Sequence, residues 1–88
     1  MTLKELFDYP YFVLLPMRQK LLAVGLLALA KKGVGIAHPV YLKNKILSVE
    51  ADELSTAEIE ADLEAIQEAL PVKVFTREDG ERFYRWLA

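Results

Sequence analysis

The sequence predicts a mainly α-helical domain closed by a C-terminal β-hairpin. Three observations carry this. The run Ile59, Leu63, Ile66, Leu70 recurs at helical period behind a capping signature. The tail from Val72 to Leu87 switches to alternation around Asp79-Gly80, a strong hairpin signal. The 88 residues suit one core, and 53% apolar with 27% charged residues is a folding composition.

Thr2 to Glu5 spell T-x-x-E, so a short helix is expected to start there with Leu3, Leu6 and Phe7 on one face. Tyr9 to Leu15 contains Pro10 near its start, is followed by Pro16, and is rich in aromatic and β-branched residues. It reads as an extended arm, which makes residues 1–15 an arm and residues 16–88 the domain. Pro16 suits a first helical position, giving a first long helix from about Pro16 to Lys32 with Gly33 as its stop. Gly33 to Pro39 is a connector with room for one short strand. Pro39 opens a second helix to about Leu47, with Val40, Ile46 and Leu47 inward, and His38 braces its start.

Ser48 to Leu54 is polar. Ser55-Thr56-Ala57-Glu58 is a second capping box and launches the third helix, which Pro71 ends. In the hairpin, a two-residue loop would oppose Glu78 to Glu81 and Arg77 to Arg82. A three-residue loop with a left-handed Gly80 instead pairs Arg77 with Glu81, Phe75 with Phe83, Val74 with Tyr84 and Val72 with Trp86, and is preferred. The expected core is Leu21, Val24, Ile46, Ile59, Leu63, Ile66, Val74 and Trp86.

This order of elements, with the capped helix from Ser55, the Pro71 stop and the strand, Asp-Gly, strand tail, resembles the winged helix-turn-helix superfamily over residues 16–88. The resemblance implies that the third helix enters the major groove and that the hairpin wing touches flanking backbone. The charges depart from that pattern. Residues 1–49 carry seven basic and two acidic side chains, residues 50–88 four basic and eleven acidic. From Glu50 to Glu68 there are eight carboxylates, including Asp52, Glu53, Glu58, Glu60, Asp62, Glu64 and Glu68, and no Lys or Arg. A helix so clothed repels phosphates, so DNA is not expected through it. Its acidic side is either a solvated face or a contact for a protein with a basic surface. Glu58, Glu60, Asp62 and Glu64, with Phe75 and Phe83 on the wing, are the candidate protein-binding residues. The alternative is a small DNA-binding regulator using Lys31, Lys32, Lys43, Lys45, Arg77, Arg82 and Arg85 on phosphates.

Leu21 to Ala30 is apolar on every side and must be covered on every side. The expectation is a homodimer whose seam holds Phe12, Leu14, Leu22, Leu26 and Leu29; the alternative is a monomer whose arm folds back. Ten apolar residues are too few to span a bilayer, and the positive residues before them come too late for a secretory signal, so a cytoplasmic protein is expected. Cysteine is absent and His38 is the lone histidine, so no metal, cofactor or enzymatic chemistry is expected.

Overall fold

The computed structural model describes residues 1–47 and 55–87, so the polar stretch with Glu50, Asp52 and Glu53 lies outside the described residues. The elements are α1 (Leu3–Asp8), α2 (Pro10–Val13), α3 (Met17–Leu29), β1 (Val34–Ile36), α4 (Pro39–Leu42), which runs on into a π-helical turn (Lys43–Leu47), then α5 (Thr56–Ala69), β2 (Val72–Thr76) and β3 (Arg82–Trp86). The three principal helices are α3, α4 with its π turn, and α5. The strands form one antiparallel sheet in the order β1-β3-β2.

The first capping box forms as expected, with Thr2 and Glu5 satisfying each other's amides at 3.1 and 3.2 Å. The extended arm does not form. Pro10 takes the first position of α2, where its missing N–H costs nothing, and the resulting turn delivers Phe12 to the core, 3% exposed. Burial of that ring outweighs the strand propensity of its neighbours. Phe7 meets Phe12 edge-on at 5.3 Å, and Leu6 is fully buried, so Leu6 and Phe12 join the same core cluster as α3, α5 and the sheet.

Helix α3 ends at Leu29, short of the expected Lys32. Lys31 and Val34 exchange hydrogen bonds of 2.8 and 3.1 Å across Lys32 and Gly33, both at positive φ (54° and 80°). This tight mirror-image turn folds the chain directly into β1. Pro16 caps α3 from outside, accepting from the Lys20 amide at 2.9 Å.

The inward face of α3 also departs from the expectation, although Val24 is half-buried against the core as expected. Leu22, Ala23 and Leu26 are buried, whereas Leu21, expected in the core, is 49% exposed. The sheet selects that face: Tyr84 Oη and Trp86 Nε1 both donate to the Leu26 carbonyl, at 2.6 and 3.2 Å. On its other flank α3 meets the π turn at Gly25, where a Cβ would collide with the side chain of Ile46. Glycine there costs about 1 kcal/mol of helix propensity and allows this close approach. In the second helix Pro39 and Leu42 are buried, Ile46 and Leu47 are half-buried, and Val40 is exposed rather than inward.

Helix α5 and the hairpin follow the sequence closely. Ser55 Oγ accepts from the Glu58 amide at 3.2 Å, and Ile59, Leu63, Ile66 and Leu70 are all buried. The register is Val72 with Trp86, Val74 with Tyr84 and Phe75 with Phe83, closed by a three-residue loop in which Gly80 has φ 86°. Gln67 of α5 covers the β2 edge, accepting from the Val74 amide at 3.0 Å. An exposed row of strand amides invites pairing with other chains, and this contact blunts it.

Candidate interaction surfaces

Helix α5 packs on the inner face of the sheet and turns its remaining circumference outward. Ile59 and Ile66 define the inward stripe, and Asp62 lies three residues after one and four before the other, so helix geometry places it on that stripe. Asp62 is accordingly buried, at 3% exposure, and not on the acidic outer face expected for it. Its carboxylate accepts from Arg18 Nε at 2.6 Å, Arg18 Nη2 at 3.1 Å and Gln19 Nε2 at 3.1 Å. A buried charge is tolerated when it is paired and hydrogen-bonded this fully. The hydrogen bond to Asp62 also raises the guanidinium pKa of Arg18 above its ordinary value.

Two more carboxylates are engaged within the chain. Glu58 lies 3.4 Å from Arg18 Nη1, and Glu60 accepts from Arg82 Nη1 at 2.6 Å. Arg82 thus faces α5, apart from Arg77 and Arg85 of the hairpin. Glu64 and Glu68 are exposed and take part in no ion pair among the described residues. The exposed positions of α5 are Thr56, Ala57, Glu58, Glu60, Ala61, Glu64 and Glu68, a surface of carboxylates and small side chains.

The outer sheet face is separate from this one. Strand pairing sets Val34, Arg85 and Lys73 in one row across the sheet and Ile36, Phe83 and Phe75 in the next. Phe75 and Phe83 stack at 6.0 Å with 26° between their planes. Arg77 lies over Phe83 at 4.4 Å and Arg85 over Phe75 at 5.5 Å. The result is an apolar row bordered by cations, each held on a ring by cation–π attraction. Arg77 is also tied to Asp79 at 2.7 Å, and that hydrogen bond, with the Glu81 amide, holds the Asp79 carboxyl below its usual range. Lys31 and Lys32 are exposed at the turn into β1. Lys43 and Lys45 sit on the π turn, with Lys45 Nζ 6.0 Å from the Tyr41 ring, so the proposed phosphate-contacting residues are dispersed over several elements.

Of the candidate seam residues, Phe12, Leu22 and Leu26 are covered by the chain's own core, Leu29 is half-buried, and Leu14 is 78% exposed. Sequence reasoning missed what lies beside Leu14. Between the first two short helices and α3 runs an apolar groove of about 340 Å³, walled by Phe7, Phe12, Val13, Met17 and Leu21, with Lys20 as its charged lining residue. The apolar run around α3 contained the signal, but its periodicity could not say which side faced out.

Among the described residues no cluster of His, Cys, Asp or Glu could hold a metal ion, and no helix is long and apolar enough to cross a membrane. His38 stands at the cap position of α4 without a side-chain capping bond. No family model matches the chain, and no curated protein or solved structure matches it.

Proposed function

We propose that the chain is a non-catalytic, winged-helix-like interaction module that binds a protein partner with a basic surface through α5. The order of helices and strands and the β1-β3-β2 sheet support the winged-helix reading. In that arrangement α5 takes the place of the recognition helix and the β2–β3 hairpin that of the wing. The observation that carries the function is the exposed side of α5, which offers Glu64 and Glu68 outside any ion pair among the described residues, set among small side chains on a helix without Lys or Arg. Such a surface loses the phosphate attraction on which groove binding depends, and it suits a cationic protein partner. A non-catalytic role is supported by the state of Asp62, the buried carboxylate, whose oxygens are taken up by Arg18 and Gln19.

The alternative, a DNA-binding regulator, draws on Arg77 and Arg85 beside the Phe75–Phe83 stack, with Lys31 and Lys32 at the turn into β1. Phosphate contacts from such groups position a protein without reading sequence. A selection on randomised duplex DNA, followed by anisotropy titrations at low and moderate salt, tests the proposal. Weak binding, independent of sequence and abolished by moderate salt, is expected. Enrichment of a defined sequence that Glu64→Lys with Glu68→Lys alters would make α5 a recognition helix and overturn it. In the positive arm, a photo-crosslinker at Ala61 should capture a discrete protein in cells, and the same double charge reversal should abolish capture.

A further inference from the structure

The N-terminal half leaves its apolar surface unfinished. Phe7 and Tyr11, 58% and 59% exposed, alone leave on the order of 200 Å² of aromatic surface open. Val13, Met17 and Leu21 line one groove with Phe7, and Leu14 joins them in the short link between Val13 and Met17, with Leu14 and Met17 at 78% and 79% exposure. Monomeric proteins rarely expose contiguous apolar patches beyond a few hundred Å² without a function for them.

We infer that this patch is the interface of a two-fold homodimer, in which the Leu14–Met17 corner of each protomer fills the groove between Phe7, Val13 and Leu21 of the other. Three features point to a second copy as the occupant. The patch carries both partners of the fit, a projecting apolar corner and an apolar groove, and an isologous interface requires both to lie on one surface. Charge does not oppose it: Lys20 is the one charged residue lining the groove, its long stem can carry the ammonium to the rim, and Arg18 is committed to Asp62. The exposed side chains of Phe7, Val13, Leu14, Met17 and Leu21, with Leu3 and Tyr11 on the same two short helices, bring the area toward the ~800 Å² per partner of a standard interface. No residue of α5 or of the outer sheet face lines this groove, so the dimer stands or falls independently of what those surfaces bind.

Sedimentation equilibrium over a concentration series tests it on the full chain. Wild type should be dimeric at micromolar concentration. Leu14→Glu with Met17→Glu should weaken the dimer at least about 100-fold, because each change acts twice across the axis. Leu87→Glu, at an exposed leucine on the opposite end of the chain, should leave it intact. Both variants replace exposed side chains, and circular dichroism should confirm that they stay folded. Because the chain lacks cysteine, Met17→Cys gives a single thiol, which should oxidise to a disulfide-linked dimer far faster than Leu87→Cys. A wild-type chain that stays monomeric at all concentrations overturns the inference. So does a dimer that survives the double glutamate variant.

Discussion

Helices α3 and α5 are almost equal in length, 13 and 14 residues, yet their surfaces are completed in opposite ways. Helix α5 buries one stripe and closes the rest with carboxylates, two of which reach Arg18 and Arg82 on other elements. Helix α3 is apolar around most of its girth. The core takes only Leu22, Ala23 and Leu26 completely, while α1 and α2 cover part of what remains. The difference teaches that a helix with one apolar stripe specifies its own orientation, whereas one apolar all round has its orientation chosen by its neighbours.

The largest expected effects come from the contacts that choose it. Phe12→Ala should destabilise the fold by about 3–5 kcal/mol in urea unfolding, the usual cost of emptying a buried aromatic site. Phe75→Ala, on the half-exposed outer sheet face, should cost clearly less. Equal effects would show that the arm is peripheral to the core. Arg18→Ala should cost about 1–2 kcal/mol, because it leaves Asp62 buried without its cation while the 41% exposure of the Arg18 side chain screens the pair. Arg18→Met combined with Asp62→Leu should restore most of that loss, since the replacement removes both charges together. A double variant as unstable as the single one would show that the pair supplies more than mutual compensation.

These contacts also mark where the sequence was legible. The capped stripe of α5 and the hairpin register followed from local rules. Like charges excluded the two-residue loop, and Phe75 paired with Phe83 as expected. Asp62 was legible in principle from its spacing to Ile59 and Ile66, but its charge argued for the surface, and its partner lies 44 residues away. The orientation of α3 was not legible. It depends on hydrogen bonds from Tyr84 and Trp86 to the Leu26 carbonyl, partners 58 and 60 residues distant that no local pattern encodes. The proline-bounded arm failed as an expectation because Pro10 permits both extended chain and a first helical turn, and the burial of Phe12 decides between them.

The link between sheet and α3 can be read optically. Burial pushes the Tyr84 phenol up to about 12, with Tyr41 nearby adding to the shift. The native state therefore keeps its proton where an unfolded tyrosine, near 10, has lost it. The stability this group contributes is complete below about pH 10 and is lost as pH rises toward 12. In a spectroscopic titration, Tyr84→Phe should remove the latest tyrosinate phase. It should also cost about 1 kcal/mol, since Trp86 still donates to the Leu26 carbonyl. An unchanged late phase would place another tyrosine in that role.

The smallest effect concerns the turn that ends α3, and its sign is opposite to the others. Lys32 holds φ 54°, a left-handed conformation that strains an L side chain, and its neighbour Gly33 holds φ 80°. The turn requires both angles, because Lys31 and Val34 must exchange their two hydrogen bonds to start β1 beside β3. Lys32→Gly relieves a strain of about 1 kcal/mol in the folded chain but makes the unfolded chain more flexible, which offsets part of the gain. Asn tolerates the same conformation with less added flexibility. Lys32→Asn should therefore raise stability by about 0.5 kcal/mol and at least match Lys32→Gly, with the slope of the urea transition unchanged. If both variants lower stability, the lysine side chain contributes a contact that outweighs its backbone strain. In that case α3 is closed by its terminal turn as firmly as α5 is by its cap, and the contrast between the two helices narrows to their exposed faces.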